Sequence, residues 1–116
     1  MAPVPLAWYC HDVAFDHAAA NEAIGELELL ERFVRALAET RGLAAPEARN
    51  DWSGRFDDDF AREFPVTQDT LTGVADGISR LVGRIRDGID AAAAAQSGRE
   101  RLRSLCAEPD CCQGGR

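Results

Sequence analysis

The 116-residue sequence contains no lysine, no cysteine between residues 11 and 105, and no long uninterrupted apolar run. Because a membrane helix needs about 20 consecutive apolar residues, we expect no membrane span. Residues 1–20 contain no arginine, and histidines and aspartates interrupt their apolar stretch, so no secretory signal peptide is predicted. We therefore expect a cytoplasmic protein, or one that is exported by a route independent of a signal peptide.

The charge balance argues against nucleic-acid binding. The chain carries 20 acidic and 13 basic residues and a formal net charge of -7. Proteins that bind phosphate backbones usually show a basic patch or stripe instead. All of the basic residues are arginine, and alanine and glycine are abundant, which is typical of a GC-rich genome and leads us to expect an actinobacterial source.

The length is enough for one domain. We predict an extended N-terminal arm over residues 1–11, a helical hairpin over residues 12–104, and a flexible tail over residues 105–116 that holds three of the four cysteines. Either Asp12 or Asp16 is expected to cap the first helix, because a carboxylate accepts the unpaired N–H groups of a first helical turn.

The first helix is predicted from apolar residues that recur at intervals of three and four, which places them on one stripe. Gly42 either ends this helix or weakens it, and Pro46 suits the first turn of a helix that resumes near Ala45. The stripe consists of Ile24, Leu27, Leu30, Val34 and Leu37.

The second helix has the most regular pattern, a heptad seam of the kind found in coiled coils and four-helix bundles. Pro65 is expected to kink or break it, with Thr67 or Asp69 capping the restart. Its glycines predict either the close approach of another helix, which we favour, or local flexibility. The seam comprises Leu71, Val74, Ile78, Leu81 and Ile85, and the glycines are Gly73, Gly77, Gly83 and Gly88.

The turn between the helices is predicted at Trp52-Ser53-Gly54, because serine and glycine favour turns. A central Trp-x-Gly between two long helices, followed by Phe56 and Phe60, resembles the WXG100 (ESAT-6-like) family over roughly residues 12–104. The resemblance implies an antiparallel two-helix hairpin, pairs of which form a four-helix bundle. Trp52 is interpreted either as an ordinary packing residue or as an exposed contact for a partner.

The resemblance also implies helical partners. Many members of the family are substrates or partners of type VII secretion, and others accompany large secreted toxins. This sequence departs from the family pattern, since its only tyrosine, Tyr9, is far from the C-terminal Tyr-x-x-x-Asp/Glu signal of mycobacterial substrates. Pro65 and the cysteine-containing tail are further departures. The chain is then either the partner without a signal or a protein that is not exported.

No constellation of residues predicts catalysis, a cofactor or a metal. Cys10, Cys106, Cys111 and Cys112 lack the paired spacing of a structural zinc site, so we expect idle thiols, with redox or intermolecular disulfides as the alternative. The run Asp57–Asp59 points in different directions on a helix and suits solvation and capping. The histidines have no nucleophile beside them, and we predict that the chain is not an enzyme.

The predicted function is therefore a non-catalytic helical interaction module. Its partner would be a second copy or a different helical hairpin, including the N-terminal domain of a toxin. The alternative is a cytosolic coiled-coil adaptor or chaperone-like protein that stays in the cell. The residues predicted to form the assembly interface, some of which also close the hairpin, are Leu27, Leu30, Val34, Leu37, Leu71, Val74, Ile78, Leu81 and Ile85.

Overall fold

The computed structural model describes residues 7–106 and residue 112. It contains a short 3-10 turn at Trp8–Cys10, helix α1 at His17–Ala48 and helix α2 at Arg55–Ser104. In this described part of the chain, helix is the only regular secondary structure. The prediction of an all-helical protein with two long helices is confirmed.

The ends of the helices follow from local chemistry. The Asp16 carboxylate accepts a hydrogen bond from the Ala19 backbone N–H at 2.9 Å, so Asp16, one of the two predicted candidates, caps α1. Residues 49–54 connect the helices, and Gly54 has a φ of 80°, a backbone conformation that a Cβ disfavours. The turn predicted at Trp52-Ser53-Gly54 lies in this connection.

Neither proline interrupts a helix, which corrects the prediction of a resumed helix near Ala45 and that of a break at Pro65. Helix α1 continues through Gly42 and Pro46 to Ala48, so no second helix resumes near Ala45. Helix α2 continues through Pro65, and no restart exists for Thr67 or Asp69 to cap. A proline removes one backbone hydrogen bond, and both helices continue on either side of their proline.

The chain divides into two compact units, described here separately. Unit 2 comprises residues 21–85 and is a two-helix hairpin. Its helices are antiparallel, because contacts from Arg35 to Asp76, from Arg41 to Gln68 and from Arg49 to Asp57 run in opposite directions along the two helices.

The helices of unit 2 meet along a seam with three-four spacing, and Ala75 and Val82 are its most buried residues, at 0% and 3% exposure. Predicted members Val74 and Leu81 are instead 48% and 44% exposed. The seam of α2 therefore shares Leu71, Ile78 and Ile85 with the prediction but uses Ala75 and Val82 between them. On α1 the buried or half-buried seam positions are Ile24, Leu27, Glu31, Val34, Ala38, Arg41 and Ala45.

Unit 1 comprises the described residues among 1–20 and 86–116. Its α2 segment continues the three-four stripe with buried Ala92, followed by half-buried Gln96, Arg99 and Arg103. Residues 7–13, called the arm segment below, contact this stripe through polar groups. The predicted extended arm includes one 3-10 turn, at Trp8–Cys10.

Candidate interaction surface

Unit 2 carries exposed large apolar side chains along one stripe of each helix. On α1, Leu30 lies four residues before the seam residue Val34, and Leu37 lies three residues after it. On α2, Val74 and Leu81 lie at the same distances before and after the seam residue Ile78. In an antiparallel pair, equal offsets place side chains on the same side of both helices. With Phe33, which is 66% exposed, these residues form what we call the apolar face: Leu30, Phe33, Leu37, Val74 and Leu81.

The levels of these residues along the hairpin make the apolar face continuous. The contacts Arg35–Asp76 and Arg41–Gln68 align the two helices. In this alignment Val74 lies close to the level of Leu37, and Leu81 lies close to the level of Leu30. The face therefore combines side chains from α1 and α2 at matching levels and is not confined to one helix.

Towards the connection, the same side continues as a shallow apolar depression lined by Ala44, Ala48, Trp52 and Phe60 among others. Trp52 is half-buried and makes edge-to-face contacts with Phe56 at 5.1 Å and Phe60 at 5.3 Å between ring centroids. Such aromatic pairs contribute about 0.5–1.5 kcal/mol beyond burial. Trp52 thus packs within the hairpin end and also presents part of its ring to the surface.

The opposite side of unit 2 is polar. Arg35 pairs with Glu31 at 2.9 Å and with Asp76 at 3.0 Å, and Arg49 pairs with Asp57 at 2.6 Å. The hydrogen bond from Arg49 lowers the pKa of Asp57 below its usual value. Ion pairs at an exposed surface contribute little to stability, so these pairs mark a solvated side of the hairpin.

The Asp57–Asp59 run behaves as the sequence predicted. Asp57 and Asp58 lie in the first turn of α2, where the helix dipole favours negative charge. Asp57 pairs with Arg49, whereas Asp59 pairs with Arg62. The carboxylates do not converge on a common point.

The glycines Gly73, Gly77, Gly83 and Gly88 of α2 do not closely approach another helix within the described residues. A Cβ built on Gly73, Gly83 or Gly88 would contact nothing within 4 Å, and on Gly77 only the Arg80 guanidinium, at 3.7 Å. Our expectation of close helix packing at these glycines is therefore wrong within the chain. Gly77 lies between Val74 and Leu81 at three-four spacing, so it leaves a shallow gap in the apolar face.

In unit 1, the arm segment is bound through its backbone at alternate residues. Arg103 donates to the Tyr9 carbonyl at 2.6 Å, and Arg99 donates to the His11 carbonyl at 2.7 Å. The Val13 N–H donates to the Gln96 side-chain oxygen at 2.8 Å. Side chains spaced by three and four on α2 therefore match the two-residue period of an extended chain.

Asp12 adds charge to this network. Its carboxylate accepts from the Gln96 amide at 2.9 Å and pairs with Arg103 at 2.9 Å. The hydrogen bond from Gln96 and then that from Arg103 lower the pKa of Asp12 below its usual value, because both favour the charged carboxylate.

The cysteines correct the expectation of idle thiols. Cys10 and Cys112 form a disulfide with a Cα–Cα distance of 5.2 Å across 102 residues of sequence, and Cys106 is disulfide-bonded as well. Cys111 lies outside the described residues. In the loop-entropy model, a disulfide that closes about 100 residues removes about 4.7 kcal/mol of unfolded-state entropy. Sequence reasoning missed this pairing because spacing alone does not fix connectivity.

The remaining candidates do not assemble a chemical site. His17 packs edge-to-face against Phe15 at 4.8 Å between ring centroids. In the part of the chain that the structure describes, no three His, Cys, Asp or Glu side chains are arranged to hold a metal ion. The described helices include none that is long and apolar enough to cross a membrane.

The predicted assembly residues separate into two groups. Leu27, Val34, Leu71, Ile78 and Ile85 lie in the seam that closes the hairpin. Leu30, Leu37, Val74 and Leu81 lie on the apolar face.

The comparisons add no family assignment. The chain matches no family model, no curated protein and no solved structure.

Proposed function

We propose that this protein is a non-catalytic interaction module that packs the apolar face of unit 2 against another helical hairpin. The observation that carries the proposal is that five large apolar side chains, aligned across two helices, are left in contact with solvent. Contiguous apolar patches on a small soluble protein are typical of protein–protein interfaces.

The size of the surface supports this proposal. From the level of Leu27 to that of Ala48, α1 rises by about 30 Å, and two adjacent helices are about 20 Å wide. The side of the hairpin that holds the apolar face therefore measures about 600 Å² before its ridges are counted. If a partner covers it with an equal area, the total buried surface exceeds the total of about 1,000 Å² expected of a specific interface.

The partner that fits is a helical one. The apolar side chains recur at three-four spacing, which is the arrangement that packs by ridges and knobs against other helices. Gly77 leaves room for a side chain of the partner between Val74 and Leu81. A second hairpin would complete a four-helix arrangement, in the manner of the WXG100 proteins that the Trp52–Gly54 motif resembles.

The disulfides favour export over the cytosolic alternative. Disulfides persist in oxidising compartments and are rare in the cytosol, and the described cysteines Cys10, Cys106 and Cys112 are all bonded. We accordingly propose that the protein works after leaving the cytosol, by a type VII or similar route. A cytosolic adaptor would have little use for a covalent bond across 102 residues.

The test is size-exclusion chromatography with light scattering on the full, oxidised chain, together with far-UV circular dichroism. A strongly helical dimer would support pairing between copies. A poorly helical or aggregating chain would indicate an obligate partner of different sequence, to be sought by co-expression with neighbouring genes. A fully helical monomer at high concentration would contradict the proposal.

A further inference from the structure

The attachment of the arm segment depends on very little apolar burial. The 3-10 turn contains no buried residue, and Trp8 is 64% exposed. Arg99 lies over the Trp8 ring at 5.7 Å, and this exposed cation–π contact is a weak one. The segment therefore gains little of the hydrophobic stabilisation that holds most elements of a protein in place.

The polar contacts of the arm segment compete with water. Arg99, Arg103 and Gln96 bind backbone groups of the segment. The bond from Arg99 lies at the exposed surface, and the bonds of Arg103 and Gln96 are half-buried. Each such bond replaces one with water and contributes little net stability. These contacts fix where the arm segment lies, and they have to offset the conformational entropy that is lost when the segment is ordered.

The Cys10–Cys112 disulfide attaches the arm segment covalently to the end of the chain beyond α2. Cys10 lies in the middle of the arm segment, and Cys112 lies beyond the end of α2, so their disulfide ties the segment to the far end of the chain. With the disulfide closed, the arm segment stays close to its binding groups at a high effective concentration. With it open, the polar contacts act alone.

We propose that Cys10–Cys112 is a redox latch that holds the arm segment on α2 and releases it when the bond is reduced. Release is thiol–disulfide exchange with a small-molecule thiol such as glutathione. A thiolate attacks one sulfur of Cys10–Cys112, forms a mixed disulfide with that cysteine and releases the other cysteine as a thiolate. A second small-molecule thiolate then attacks the small-molecule sulfur of the mixed disulfide and displaces the remaining protein thiolate. Two protein thiols and one small-molecule disulfide result, and the reverse exchange closes the latch.

Opening the latch uncovers a defined surface. Gln96, Arg99 and Arg103 lose the backbone groups that they bind and face solvent on one stripe of α2. The chain thus has two forms, closed under oxidising and open under reducing conditions. This inference concerns unit 1 and does not depend on the pairing of unit 2.

Amide hydrogen exchange, followed by NMR on the full chain, tests the latch directly. The N–H groups of Cys10, His11 and Val13 donate hydrogen bonds in the closed form, so their exchange reports on the arm segment. Upon reduction with glutathione we expect their exchange to accelerate by at least about tenfold, whereas the Val82 amide in the seam of unit 2 changes less than about twofold. Returning the sample to oxidised glutathione should restore the slow exchange.

Two variants separate the contribution of the disulfide from that of the polar contacts. Cys112→Ser should show the open form under oxidising conditions, and Arg103→Ala should remain closed there, because the disulfide is intact. If Cys112→Ser misfolds, the reduced wild-type chain, with its four thiols counted by mass spectrometry after alkylation, serves instead. Slow exchange of the three arm amides in the fully reduced chain would overturn the latch. So would a disulfide that glutathione reduces only when the helices unfold.

Discussion

Each of the two units of this protein is stabilised internally by different contacts. In unit 2, the seam around Ala75 and Val82 is apolar and periodic, and the exposed apolar face has the same period. In unit 1, the arm segment is held by the Cys10–Cys112 disulfide and by polar side chains that bind its backbone. The comparison shows that periodic burial builds a helix pair, whereas an extended segment beside a helix needs covalent and polar contacts.

The largest loss of stability is expected from a charge in the seam of unit 2. Val82→Asp places a carboxylate at a position that is 3% exposed. We expect a loss of about 3–5 kcal/mol in the free energy of unfolding. Val66→Asp is the control on the same helix, since Val66 is largely exposed, and should cost less than about 1 kcal/mol.

Urea denaturation followed by circular dichroism, with all proteins at the same concentration, measures both variants. Equal losses for Val82→Asp and Val66→Asp would mean that the seam does not follow the register through Ala75 and Val82.

A smaller loss is expected at the aromatic cluster of the hairpin connection. Trp52→Ala removes the contacts to Phe56 and Phe60. Because Trp52 is only half-buried, we expect a loss of about 2–3 kcal/mol, below the range for a fully buried tryptophan. Phe56→Ala, at a side chain that is largely exposed, should cost about half as much or less.

Thermal and urea denaturation of the wild type and both variants, all at the same protein concentration, measure these losses in the free energy of unfolding. A Trp52→Ala protein as stable as the wild type would show that the ring serves a partner alone and has no packing role.

The smallest effect concerns the titration of Asp12 in unit 1. The hydrogen bond from Gln96 and the pairing with Arg103 lower its pKa from the usual 3.8. A lowered carboxyl pKa stabilises the folded arrangement above the unfolded value, and this contribution disappears as the pH falls through the folded pKa. The contacts of Asp12 with Gln96 and Arg103 should therefore weaken only in acid, below about pH 4.

NMR titration of the side-chain carboxyl carbon of Asp12 measures this pKa. Gln96→Ala should raise it towards 3.8, and Gln68→Ala, in unit 2, should leave it unchanged. An unshifted Asp12 in the wild-type chain would mean that the polar network of the arm segment does not persist in solution.

Much of the helical architecture could be predicted from the sequence. Apolar residues at intervals of three and four identified both helices, and Trp52-Ser53-Gly54 identified the connection. Asp16 was recognisable as one of two candidate caps, with Asp12, because its side chain precedes a helical pattern. These features depend on neighbours along the chain, which a single sequence displays directly.

What could not be predicted depends on which groups meet across long sequence separations. The α2 pattern is compatible with two overlapping seams, and large residues such as Val74 and Leu81 suggested the one that turned out to be exposed. Alanines pack closer to the opposite helix, so Ala75 fits the interior between two adjacent helices where a larger residue would not. The pairing of Cys10 with Cys112 and the binding of Tyr9 and His11 by arginines leave no periodic signal.

Substitution of two leucines on α1 tests whether the apolar face of unit 2 pairs with a partner. Leu30 lies on the apolar face and is 47% exposed, whereas Leu43 is 73% exposed and lies on another side of the helix. Light scattering after size-exclusion chromatography should give a smaller assembly for Leu30→Glu than for the wild type, with helical content retained. Leu43→Glu should match the wild-type mass. Identical masses for all three proteins, each a helical monomer, would contradict the claim that the apolar face exists for pairing.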